Sequence, residues 1–175
     1  MKVPELRTER LLLRGFRDDD LDAWAEICTD SEVTRWVGDP DGLSREDAWR
    51  RMAYFAGHWE LRGCGQWALV ENATGELVGR AGLLYPEAWP GLEVGWLVAR
   101  SHWGRGYAPE GGRAAMEWAR TALGADHIIS LIEDHNDRSA RVAEKLGMSV
   151  EGRTRIVNGQ FEVRIFGADL GSPDS

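Results

Sequence analysis

The chain has 175 residues, 43% of them hydrophobic and nine of them tryptophan, enough to fill the core of one domain, and no run approaches the ~18 apolar residues a membrane helix requires. A formal charge of −8 repels nucleic acid and anionic membranes, so neither is an expected partner; an amine or other cation suits the field, and acidity that serves only solubility is an equally good reading. The two cysteines, Cys28 and Cys64, stand in no Cys-x-x-Cys or Cys/His cluster, so no metal site and no disulfide framework is expected; residues 1–5 carry no signal-like apolar stretch, and a reducing cytoplasm is the expected compartment.

In chain order, residues 10–16 are a leucine-rich strand candidate, and Asp18, Asp19 and Asp20 then cap a helix carrying Leu21, Trp24, Ala25 and Cys28 at helical spacing. Residues 31–43 hold Gly38, Asp39-Pro40 and Asp41-Gly42 and read as a loop or broken helix. Ser44 with Asp47 resembles a capping box opening a second helix that carries Ala48, Met52, Phe55, Ala56 and Trp59. Helical period assigns Trp24, Trp49 and Trp59 to the core, while Trp36 and Trp89, in loop-like stretches, are candidates for lining a pocket.

Residues 67–71 and 77–85 read as strands around the turn Asn72-Ala73-Thr74-Gly75, and residues 92–99 as a third strand, which together predict an antiparallel meander. A helix to residue 123, an apolar run at 127–132 and a helix at 137–146 stopped by Gly147 follow. Residues 153–157 and 160–170 then flank Asn158-Gly159, a strong hairpin signal. The pattern predicts an α/β (α+β) domain over residues 1–170, with a mixed sheet, helices on both faces and a loose tail at 171–175. Inside the third long helix, Gly111-Gly112 costs about 1 kcal/mol per glycine relative to alanine, so a close approach of sheet or cofactor is expected there, with a frayed first turn as the competing reading.

The chemistry-bearing stretch is Trp103-Gly104-Arg105-Gly106-Tyr107-Ala108, between an apolar strand and a helix. Two glycines let the backbone bend toward an anion, and the first amides of the helix point at it. A P-loop requires Gly-Lys-Ser or Gly-Lys-Thr, which is absent. A dinucleotide fold places its glycines early in a first strand-helix unit, whereas Pro109-Glu110 follow here, late in the chain. An ordinary tight turn is the competing reading, so the neighbours decide.

Those neighbours are the strand Glu93-Val94-Gly95-Trp96-Leu97-Val98 before the turn, and Asn136-x-x-Ser139 opening a helix that ends Glu144-Lys145-Leu146-Gly147-Met148. Together with the opening Leu6-Arg7-Thr8-Glu9-Arg10-Leu11-Leu12-Leu13-Arg14 and the Asn158-Gly159 hairpin, this order resembles the GCN5-related N-acetyltransferase (GNAT) superfamily, most closely its RimJ/RimL-type branch. The resemblance implies a mixed sheet of about seven strands whose fourth and fifth strands splay to admit acetyl-CoA. It also implies transfer of the acetyl group to a primary amine, either a protein N-terminus or a small molecule, and allows a homodimer.

By that resemblance Trp103, Gly104, Arg105, Gly106, Tyr107 and Ala108 hold the pyrophosphate, Val98 and Asn136 meet the pantetheine, and the Trp96 amide polarises the thioester carbonyl. A mid-strand bulge at Gly95 is expected to free that amide. Glu93, a carboxylate in an apolar strand, is the candidate base, with a solvent-edge residue as the bland reading. The family position that often carries a tyrosine acid is Ala143 here, so Ser139 is the candidate acid at the sulfur, and an inactive acyl-CoA-binding module stands as the alternative. Arg138, Arg141 and Lys145 are either a site for the 3′-phosphate or a solvated face. Asn136 is equally readable as a helix cap, and His102 and His135 receive no catalytic role. The acceptor pocket is expected from residues 31–43, the second helix and the last hairpin, with Asp39, Asp41 and Glu162 either acidic attractors for a cationic acceptor or residues that serve solubility.

Overall fold

A computed structural model describes residues 2–38, 40–157 and 159–171. Asp39, Asn158 and residues 172–175, on which an acidic attractor, half of the hairpin signal and most of the tail were placed, lie outside the described residues. The apolar runs become strands β1 (Leu6–Arg7), β2 (Leu11–Arg14), β3 (Gln66–Glu71), β4 (Leu77–Leu84), β5 (Glu93–Val98), β6 (His127–Glu133), β7 (Ser149–Ile156) and β8 (Phe161–Asp169). They form one sheet in the order β1-β2-β3-β4-β5-β6-β8-β7. Every neighbouring pair is antiparallel except β5 and β6. The sheet thus has eight strands rather than about seven: β1 is a two-residue pairing of Leu6 and Arg7 with Leu13 and Leu12, too short to show a period.

The helices are α1 (Leu21–Thr29), α2 (Ser31–Thr34), α3 (Arg45–Arg62), α4 (Tyr107–Leu123) and α5 (Asp137–Lys145). Two hydrophobic clusters reflect the two faces they cover. Trp24, Ala25, Cys28, Val33, Ala48, Met52 and Phe55 from α1, α2 and α3 pack with Leu97 of β5. On the opposite face, Ala115, Met116 and Ala119 of α4 and Ala140 and Ala143 of α5 pack with Leu69, Ala81, Val94 and Val98. Trp59 at the end of α3 joins this second cluster through edge-on contacts with Trp67 and Trp118 at 4.7 and 5.5 Å. None of the described helices is long and apolar enough to cross a membrane.

Local expectations divide along the chain. Ser44 caps α3, its Oγ accepting from the Asp47 amide at 3.1 Å, and Gly63 at φ +71° ends the helix. Asp20 does not cap α1: its carboxylate accepts from both Arg14 guanidinium nitrogens at 2.7 and 2.6 Å and from the Arg17 amide at 2.7 Å. A buried arginine on β2 needs a paired anion more than the helix end needs a side-chain cap. Trp49 is 50% exposed rather than core, because the period that buries Ala48, Met52, Phe55 and Trp59 turns the next residue outward.

The Gly111-Gly112 pair is explained by the sheet. A Cβ on Gly111 would lie 3.0 Å from Ala81 Cβ and from Leu69 Cδ2, and one on Gly112 would lie 2.9 Å from Leu146 Cδ1. α4 therefore packs so close to β3, β4 and Leu146 that even a methyl group at either position would force its neighbours to shift.

Candidate active site

The site begins where β5 and β6 part. β5 stays paired with β4 from Glu93 to Val98, and β6 stays paired with β8 from His127 to Glu133, yet β5 and β6 share only the pair Glu93 with Ile129. Each strand follows its antiparallel partner, and the sheet's twist opens a wedge between them. This is the splay that the resemblance implied for the fourth and fifth strands, its ordinal raised by one by β1. The Ile129 amide donates to the Leu92 carbonyl at 2.9 Å; a regular parallel ladder would next join the Leu131 amide to the Val94 carbonyl. Instead the Leu131 amide donates to Glu93 Oε1 at 3.4 Å, so a carboxylate stands where a backbone rung would close the wedge.

Strand parity points the amides of Trp96 and Val98 into the wedge. The bulge expected at Gly95 is absent: β5 keeps continuous register with β4 throughout. The wedge frees those amides without a bulge because the departing strand is β6.

A cavity of about 830 Å³ runs from this wedge to the start of α4 and along α5. Glu93, Trp96, Val98, Trp103, Gly104, Gly106, Tyr107, Ala108, Asn136 and Ser139 all line it; Arg105 does not. Arg105 is exposed, and its carbonyl accepts from Arg10 Nη1 at 2.7 Å. Gly104 and Gly106 have φ of +76° and +83°, a backbone that favours glycine. Gly106 is the N-cap of α4 with no side-chain cap, and the first helical bond there runs from the Glu110 amide to the Gly106 carbonyl at 3.2 Å. The amides of Tyr107 and Ala108 thus have no intrahelical acceptor, Pro109 has no N–H, and the helix dipole adds its positive end. That donor set fits a diphosphate without a lysine.

Side chains brace the turn from behind. The Tyr107 hydroxyl donates to Glu71 of β3, which also accepts from the Thr74 hydroxyl at 2.8 Å; these bonds, Tyr107's foremost, hold the Glu71 carboxyl below its ordinary range. Arg10 lies 5.0 Å from the Tyr107 ring centroid and pairs with Glu110. Trp103 Nε1 donates to the Val98 carbonyl at 2.7 Å, and the Arg138 guanidinium lies 3.9 Å over the Trp103 ring. The tryptophan at the first motif position thus occupies the carbonyl of Val98 and leaves that residue's amide on the wedge. Asn136 is a cap, its Oδ1 accepting from the Ser139 amide at 3.2 Å, and this bond sets Ser139 on the cavity wall. Arg138, Arg141 and Lys145 line the same wall, as do His102 and His135.

A second cavity, about 810 Å³, opens beyond Glu93. Trp36, Val37, Arg80, Leu84, Glu93 and Leu131 belong to both walls, so Glu93 stands at the junction. The second cavity is lined by Gly42 and Leu43, by Arg50, Arg51, Tyr54 and Phe55 of α3, by Trp89, and by Ile156, Val157 and Phe161 at the last hairpin, as the sequence anticipated. Its charges differ from those anticipated. Asp41 does not line it, and Glu162 is taken by Arg155 at 3.1 Å.

Glu93 is 9% exposed, and burial pushes its carboxyl up from 4.5 to about 7 against the opposing hydrogen bonds from Trp89 and Leu131 and the charge of Arg80. Trp89 Nε1 donates to Glu93 Oε2 at 2.7 Å. A carboxyl poised near neutrality exchanges protons readily at physiological pH.

Sequence reasoning missed Arg80. It lies mid-strand in β4, 6% exposed, with Nη1 donating to Gln66 Oε1 at 2.8 Å and its guanidinium 5.4 Å from the Phe55 ring centroid. Burial, with Arg51 nearby, lowers its pKa to about 10. The available signal was the one that marked Glu93, a charge inside an apolar strand.

A sequence model of the acetyltransferase (GNAT) domain matches residues 10–149. The chain is 29% identical over 153 residues to the uncharacterized N-acetyltransferase YoaA of Bacillus subtilis strain 168, covering 87% of this chain and 86% of that protein. Among solved structures it is similar to an acetyltransferase from Agrobacterium tumefaciens strain C58, with TM-score 0.84 and 28% identity over 96% of this chain and 95% of that one. It also shares its fold with the ribosomal-protein acetyltransferase RimL in complex with coenzyme A, at TM-score 0.77 and 16% identity over 95% of this chain and 98% of that one.

Proposed function

The chain belongs to the GNAT acetyltransferase family, and from that premise we propose that it transfers the acetyl group of acetyl-CoA to a primary amine, as a cytoplasmic member of the RimJ/RimL-type branch. The observation that carries this reading is the meeting of two cavities at Glu93, one ending on the unspent amides of α4 and the other lined by the loops expected to hold an acceptor. The opening Leu6–Arg14 pattern and the fold shared with RimL support the branch.

Acetyl-CoA supplies an acetyl group activated as a thioester. The amides of Gly106, Tyr107 and Ala108 would hold its pyrophosphate, with Trp103 and Gly104 shaping the turn and the side chain of Arg105 adding charge from outside the cavity. The Val98 amide and Asn136 would meet the pantetheine, and Arg138, Arg141 and Lys145 the 3′-phosphate. Glu93 takes the ammonium proton of the acceptor, freeing the nitrogen lone pair to attack the thioester carbonyl carbon. The Trp96 amide donates to the carbonyl oxygen as negative charge builds there. As the C–N bond forms and the C–S bond breaks, the second proton lost from nitrogen reaches the sulfur through the Ser139 hydroxyl.

Calorimetric titration with acetyl-CoA, followed by thiol release over a panel of amines, tests this. Micromolar binding with amine-dependent thiol release is the expected result. No binding at high micromolar acetyl-CoA would overturn the reading, and tight binding with no acceptor in the panel would favour the inactive-module alternative.

A further inference from the structure

Three polar groups from three adjacent strands converge on the space beside Gly95. A Cβ there would lie 3.7 Å from Arg80 Nη1 on β4, 3.9 Å from Gln66 Nε2 on β3 and 4.0 Å from Glu93 Oε1 on β5 itself. Arg80 makes no ion pair among the described residues, although Glu93 is near enough to act on its charge. Its Nε has no hydrogen-bond partner, nor has Gln66 Nε2, and the two residues are 6% and 0% exposed. A buried cation left without an anion is costly, and an anion that pairs with Arg80 from the cavity removes much of that cost. Both Arg80 and Glu93 face the two cavities at their junction.

We propose that the acceptor is a small amine bearing a carboxylate next to its amino group, an α-amino-acid-like zwitterion, whose carboxylate is received by Arg80 while its amine meets Glu93, with Gln66 holding the Arg80 guanidinium from behind. This rests on the acetyltransferase reading above and narrows its acceptor. An unpaired cation and a carboxylate flanking the same glycine, both on the walls of the two cavities, match a molecule whose ammonium and carboxylate sit on one carbon. A polyamine leaves Arg80 without an anion, and a protein N-terminus has an amide where the carboxylate would be. The Gln66 bond at 2.8 Å fixes the guanidinium, which lies 5.4 Å from the Phe55 ring centroid, so the donors are preorganised.

The test measures thiol release from acetyl-CoA by the full chain with free α-amino acids, the corresponding α-amino amides, the decarboxylated amines and an alanyl dipeptide. The best free amino acid is expected to exceed its own amide and amine by about 100-fold or more in kcat/KM, since a site built to pair a polar group rejects the analogue lacking it. Equal or better turnover of amides, simple amines or the dipeptide overturns this inference and leaves the acetyltransferase reading standing. No thiol release with any acceptor overturns both. Arg80→Met adds a second readout: it is expected to bring the free acid down to the rate of its amide while leaving the KM for acetyl-CoA unchanged, and Arg80→Lys to recover part of the preference. Equal loss for acid and amide in Arg80→Met would mean a structural role only.

Discussion

The two cavities that meet at Glu93 are made in opposite ways. The one toward α4 and α5 is a main-chain site: positive-φ glycines, uncapped amides and a free strand edge, with side chains such as Tyr107, Trp103 and Asn136 turned to hold the backbone in place. The one toward α3 is a side-chain site, in which Glu93 and Arg80 are carried inward on central strands and left with charge or donors to spare. A backbone site reads a ligand portion that never changes, and a side-chain site can be retuned by single substitutions without disturbing the sheet. The comparison makes separable demands on mutants of the two sides.

The largest effect is expected from Glu93→Gln, which should lower turnover about 10²–10⁴-fold while leaving the acetyl-CoA Kd unchanged in a titration. An unchanged turnover would remove Glu93 from the chemistry and undo the side-chain half of the contrast. In the wild type, kcat/KM should fall about tenfold per pH unit below about 7, where Glu93 becomes protonated, and this limb should vanish from whatever activity Glu93→Gln retains.

Stability runs the other way. The folded chain holds the Glu93 proton at about 7 and the unfolded chain at about 4.5, so the favourable contribution is complete below 4.5 and is lost as pH rises through 7. Urea midpoints should therefore show Glu93→Gln more stable than wild type at pH 8, by roughly 1–3 kcal/mol.

Gly106→Val sharpens the other half. A valine at φ +83° costs roughly 1–2 kcal/mol of backbone strain, and its Cβ would lie 3.3 Å from Arg10 Nη2, so the turn should relax and the acetyl-CoA Kd rise about tenfold. Acceptor discrimination, measured as the ratio of kcat/KM for two amines, should not change. The smallest expected effect is that of Trp103→Phe, which removes the indole donor from the Val98 carbonyl and should cost about 1 kcal/mol in a urea melt.

Much of this architecture was legible because it is local. Apolar runs bounded by Asn72-Ala73-Thr74-Gly75 and Gly147, and the helical period through Ala48, Met52, Phe55 and Trp59, each place an element without knowledge of its neighbours. The motif order named residues that the fold gathers around one cavity, Arg105 excepted. Failures came where a partner far along the chain decides. Asp20 serves Arg14 rather than α1, β1 exists only because β2 lies beside it, and the Gly111-Gly112 pair waits on Ala81, Leu69 and Leu146 for its reason.

Sequence alone determined the order of elements, the glycine turn that opens α4 and the acetyltransferase kinship, because backbone preferences and apolar periodicity are properties of adjacent residues. Only the tertiary structure decided that β6 leaves β5 after a single pair, that Glu93 fills the missing rung, and that Arg80 and Glu93 flank Gly95 where the two cavities meet. Those outcomes depend on which strands pair across the sheet and on the desolvation they impose, and neither is encoded within any one segment.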